Sequence, residues 1–136
     1  MPSLRTYRVF ISHAWSYTEE YDRMVKLLQA VPNFSWSNYS VPKADPVDAK
    51  SATRLGQALK HQMGPAQIIV ILAGMYVNHS DWVAFEMDYA RECQKPVIGV
   101  YPWGSQRAPK AVDDLAAEMV GWNGSSVADA IRRHAL

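Results

Sequence analysis

Five aliphatic residues in a row, Ile68-Ile69-Val70-Ile71-Leu72, stand inside the stretch Gln67 to Ala73 with no polar interruption. A strand with one face in water alternates apolar and polar side chains, so one that is apolar at every position must be covered on both faces. The run predicts the central strand of a parallel sheet, with helices packed on either side. Pro96-Val97-Ile98-Gly99-Val100-Tyr101 reads the same way, and Tyr7 to Ile11 is a compact group of β-formers around Arg8. Phe34 to Tyr39 does alternate, which places it at a sheet edge. Met119 to Trp122 predicts a short fifth strand.

Helical patterns fill the intervals. Ser16 with Glu19 three residues on forms a capping box. The helix it opens carries Tyr21, Met24, Val25, Leu27 and Leu28 on one face and must stop before Pro32. Ala52 to Met63 predicts a helix with Leu55, Ala58, Leu59 and Met63 on one side, ended by Gly64-Pro65. Further helices are predicted from about Asp81, over Lys110 to Glu118, and over Ser125 to His134, the last carrying Val127, Ala128 and Ile131. Strands alternating with helices call for a parallel sheet wrapped on both faces. With five strands and the second the most amphipathic, the flavodoxin-like, doubly wound α/β order 2-1-3-4-5 fits best. A chain of 136 residues fits one domain, with residues 1–5 as a polar leader.

In such sheets ligands bind beyond the carboxyl ends of the strands, where the strand order reverses. That point lies between the first and third strands, where the loops start at Ser12, Ser40 and Gly74. A further long loop, Val41 to Ser51, follows the second strand with Pro42, Pro46 and four charged residues. It reads equally as a contact loop or a solvated surface loop.

One residue breaks the apolar pattern near that point. At 100° per residue, Trp82, Phe85, Tyr89, Ala90 and Cys93 fall on one side of their helix and Asp88, Arg91 and Glu92 on the other. Glu86 lies within the apolar arc, four residues after Trp82 and four before Ala90. An inward carboxylate is costly unless it is hydrogen-bonded, paired, or standing in a pocket that uses it. Geometry alone leaves a structural ion pair and a functional acid equally open.

Composition narrows the chemistry. Net charge is +1 with no block of like charges, which gives no support to nucleic-acid or anionic-membrane binding. The single cysteine, Cys93, excludes a disulfide framework and favours a cytoplasmic location. The apolar run from Ile68 to Val77 is too short to span a bilayer. There is no Gly-x-Gly-x-x-Gly after a strand, no phosphate loop ending in Gly-Lys-Ser/Thr and no Gly-x-Ser-x-Gly elbow. His13, His61, His79 and His134 are scattered without metal-ligand spacing, so no metal site is expected. His79 suits the start of the helix that follows it better than a catalytic role.

Arg8-Val9-Phe10-Ile11-Ser12-His13, the strand Ile68 to Gly74, and Ser80-x-Trp82-Val83-x-x-Glu86 followed by Lys95-Pro96-Val97-Ile98-Gly99-Val100 together resemble a bacterial TIR-like domain. The resemblance runs from about Arg5 to Trp122 and is greatest to the small stand-alone branch of Thoeris-type anti-phage defence. It implies cleavage of the nicotinamide–ribose bond of NAD+, with NAD+ as substrate rather than cofactor and Glu86 as the catalytic residue. It also implies that Ser12, His13 and Trp15 line the nucleotide pocket, with Trp82 shaping its wall. By the same resemblance the 41–51 loop covers the pocket and takes part in self-association. A phage-derived trigger and a downstream effector, reached through an ADP-ribose-derived product that is cyclised or joined to another small molecule, complete the implied setting, with hydrolysis to free ADP-ribose left open. A non-catalytic TIR interaction module is the alternative, and a nucleoside deoxyribosyltransferase-like enzyme a lesser one.

Overall fold

The computed structural model describes residues 6–11, 19–39, 64–73, 87–101, 104 and 110–136. The expected helix over 52–63, the 41–51 loop and the leader lie outside the described residues, as does all but residue 104 of the expected loop from 102 to 109. In chain order the elements are β1 (Thr6–Ile11), α1 (Glu19–Gln29), β2 (Ser35–Asn38), β3 (Ile68–Leu72), a helical stretch over 87–92 termed α2, β4 (Val97–Val100), α3 (Lys110–Leu115), β5 (Glu118–Val120) and α4 (Gly124–His134).

The five strands form one sheet in the order β2-β1-β3-β4-β5. Every neighbouring pair is parallel, with Val9 beside Asn38, Ile11 beside Val70, Leu72 beside Val100 and Val100 beside Val120. The sequence-based strand order is therefore the observed one. Burial follows position: all of β3 and β4 is buried, whereas edge strand β2 is half-buried to exposed. The core gathers Phe10, Met24, Leu28, Ile69, Ile71, Ile98, Val127 and Ile131, each at most 1% exposed.

α1 and α4 pack together. Their approach depends on Gly124, where a Cβ would lie 2.7 Å from the Leu27 carbonyl oxygen. Asn123 caps α4, its side-chain oxygen accepting from the Ser126 N–H at 3.2 Å. At the amino edge of the sheet Gln67 joins three segments. Its side-chain oxygen accepts from Arg8 N–H at 2.9 Å and its amide nitrogen donates to the Leu136 carbonyl at 2.9 Å. Its backbone pairs with Arg8 and Leu136 as well.

Two elements depart from expectation. The helix expected over Lys110 to Glu118 ends at Leu115, and the strand expected over Met119 to Trp122 is Glu118–Val120. The reason is a non-local bond. Ala116 N–H still closes the helix on Val112, but Ala117 N–H donates to Val97 at 2.8 Å, pulling the chain beside β4 so that Glu118 enters the sheet. Gly121 then turns the chain, with Asn123 N–H donating back to its carbonyl, and Trp122 is left outside the strand.

Candidate functional site

All five expected site residues, Ser12, His13, Trp15, Trp82 and Glu86, lie outside the described residues. What the fold supplies is the frame they hang from. Ser12 is the residue after Ile11, the last of β1, and Gly74 follows Ala73 just beyond β3; both Ile11 and Ala73 are fully buried. Ile11 pairs with Val70, so the two segments that carry these residues, 12–18 and 74–86, leave the sheet from neighbouring strands. β1 continues to β2 on one side while β3 and β4 extend the sheet on the other, which makes this the point where the strand order reverses.

The second segment rejoins the described chain at α2. Met87 and Ala90 are its buried side chains, at 4% and 0% exposure, with Tyr89 and Cys93 half-buried and Asp88, Arg91 and Glu92 exposed. The polar face is as expected, but the deepest stripe runs through Met87 and Ala90, with Tyr89 and Cys93 on its flank. α2 ends in a Schellman motif. Lys95 N–H donates to the Ala90 carbonyl at 3.0 Å and Gln94 N–H to that of Arg91 at 3.1 Å, with Gln94 at φ 56°. The chain then enters β4 within a few residues, Pro96 accepting from Ile69 N–H. The carboxyl end of α2 is thereby held at the amino edge of the sheet, and each residue backwards along it climbs about 1.5 Å towards the carboxyl edge.

Electrostatic coupling is clearest at the opposite edge. Glu118 accepts from Arg133 Nη2 at 2.6 Å and Nε at 3.1 Å, and lies 3.0 Å from His134 Nε2. The hydrogen bonds from Arg133 and then from His134 hold its carboxyl below the usual carboxylate value. This cluster ties the start of β5 to the last turn of α4. Among the described residues no group of three or more His, Cys, Asp or Glu could hold a metal ion. None of the described helices is long and apolar enough to cross a membrane.

A recess lies between α1 and the segment joining β5 to α4. It is open to solvent with a volume of about 590 Å³, and among the described residues Arg23, Lys26, Leu27 and Trp122 line it. Sequence reasoning passed over it, assigning Leu27 to the core face of α1 and Trp122 to a strand. The available signal was Gly121-Trp122-Asn123-Gly124, a tryptophan held between turn and cap residues.

Comparison with curated protein sequences gave no match. Among solved structures, the fold is similar to that of a Clostridium botulinum CMP N-glycosidase, BcmB, with a TM-score of 0.57 and 13% sequence identity. The likeness covers 93% of this chain and 99% of that one. The family model for the TIR-like domain of the Thoeris protein ThsB matches residues 10–107, which spans β1 to β4 and both segments that leave the sheet at the strand-order reversal. On that match over most of its length, and with the five-stranded parallel sheet in place, the chain belongs to the TIR-like domain family of Thoeris ThsB.

Proposed function

We propose that the chain cleaves the nicotinamide–ribose bond of NAD+ and releases an ADP-ribose-derived nucleotide, cyclised, as a signal in anti-phage defence. The observation that carries this reading is the pairing of Ile11 with Val70 within the matched family region. β1, which Ser12, His13 and Trp15 follow in sequence, thereby lies beside β3, which the segment with Trp82 and Glu86 follows.

In this reading the electron pair of the C1′–N bond leaves with nicotinamide, and positive charge builds on the ribose. Glu86 stabilises that charge or orients the ribose hydroxyls. Attack on C1′ by a nitrogen of the same nucleotide's adenine closes a ring, whereas attack by water gives free ADP-ribose. The helical period read from the sequence supports the assignment, with Glu86 four residues after Trp82 and four before Ala90 in an otherwise apolar arc. Self-association under a phage-derived trigger would complete the pocket, and before it the competent state is rare.

A second reading is favoured by the likeness to a CMP N-glycosidase, a protein named for a related bond cleavage. The test is to follow NAD+ and CMP in cells with and without phage challenge, resolving nicotinamide, cytosine and nucleotide products by mass spectrometry. The expected result is loss of NAD+ and a new ADP-ribose-derived nucleotide, both abolished by Glu86→Gln. Cytosine release from CMP would move the assignment to a nucleotide N-glycosidase. Silence on both substrates under challenge leaves the non-catalytic interaction module.

A further inference from the structure

We propose that the recess between α1 and the β5–α4 segment binds a planar aromatic anion of nucleoside monophosphate size. Its ring would lie against the Trp122 indole and its phosphate would reach Arg23 and Lys26. The recess is built by the fold. Gly124 seats α4 against the backbone of Leu27, Asn123 caps the helix, and Trp122 is thereby held beside α1, half-buried, rather than inside β5.

Its chemistry is selective. Arg23 and Lys26, three residues apart on α1, share one face of that helix and are both exposed, and no ion pair of Lys26 occurs among the described residues. Leu27 and Trp122 supply the apolar surface. A tryptophan offers a stacking platform to any base, and an arginine guanidinium can add to it. Two cations beside such a platform suit a ring that carries a phosphate and disfavour a neutral one. A volume of about 590 Å³ lies in the ordinary range for small-ligand sites, about 300–1,000 Å³. The charge is local, since the whole chain carries only +1.

The test uses the full chain, nitrogen-15 labelled, titrated with AMP while the indole N–H signals of its five tryptophans are followed. The Trp122 signal is assigned by its disappearance in Trp122→Phe. The expected result is a saturable shift of that signal. Lys26→Glu should weaken the affinity about tenfold, adenosine without its phosphate should bind more weakly, and Glu86→Gln should leave the affinity unchanged. Lys26 is exposed, so that variant keeps the dispersed spectrum of the parent. The proposal is overturned if the Trp122 signal stays fixed or if Lys26→Glu binds like the parent. It is overturned equally if a Glu-rich peptide moves the signal and AMP does not, or if Glu86→Gln abolishes the shift. The last outcome would place the nucleotide in the NAD+ pocket. Failure of NAD+ cleavage leaves the Trp122 result unaffected, so the two proposals fail separately.

Discussion

Glu86 and Gly99 pose opposite problems, one a charge within an apolar sequence pattern and the other a side chain withheld. A structural ion-paired Glu86 and a pocket acid respond differently to Glu86→Gln. Breaking a buried pair costs about 3–5 kcal/mol, whereas neutralising an acid held for catalysis leaves stability level or improved. The expectation is a melting temperature at or above that of the parent, together with a fall of about 100-fold or more in NAD+ turnover. A large drop in melting temperature with turnover retained would return Glu86 to a structural role. At Gly99, in buried β4, a Cβ would collide with Met119 Sδ and sit 3.2 Å from Val112 Cγ1. Gly99→Ala should cost about 1–3 kcal/mol by overpacking, measured by urea unfolding. Met119→Ala in the same chain should recover part of that loss, because the two residues touch.

Among the elements, α2 shows how a local device sets the angle between a helix and the strand that follows it. Its Schellman motif fixes the angle at which the helix meets β4. Gln94 adopts φ 56° there, a region that costs a residue with a Cβ about 1–2 kcal/mol relative to glycine. Gln94→Gly should therefore raise stability by about 1 kcal/mol, seen as a higher urea midpoint with unchanged slope. A loss would mean that the Gln94 side chain makes a contact worth more than the strain. The amphipathic pattern of the α2 stretch was legible in the sequence, and so was its polar face. Its deepest stripe was displaced towards Met87 because packing against the sheet, rather than periodicity alone, chooses the centre of a broad apolar arc.

At the scale of the whole molecule, the amino edge is where distant segments are fastened, and one fastening titrates. Arg133 and His134 lower the Glu118 carboxyl relative to the unfolded chain, where those partners are absent. A depressed carboxylate contributes stability above its unfolded value and loses it as pH falls through the folded one. The stability gap between the parent and Glu118→Gln should be open at neutral pH and close as the solution is taken below the ordinary carboxylate range. Both groups are partly exposed, Arg133 at 52% and Glu118 at 32%, so the gap should be small and salt-sensitive. A gap constant down to pH 3 would show that the cluster acts through packing and not through charge. Gln67 fastens the same edge without charge, and its bonds should hold across that range.

Local pattern by itself determined the class, the strand order and most ends of the described elements to within about one residue, because a short aliphatic run bounded by turn signals reads as a strand covered twice and an alternating one as an edge. It also singled out Glu86, since a charge in an apolar arc is visible without any partner. The tertiary structure decided what depends on pairing between residues far apart in the chain. The Ala117 bond to Val97 shortened α3 and moved β5 by one residue at its start. The register of Ile11 with Val70 set β1 and β3, the strands that precede the two candidate segments, side by side. The contact of Gly124 with Leu27 made a recess around Trp122. Each is a close approach between segments whose separation in sequence carries no periodic signal, so only the folded chain could choose it.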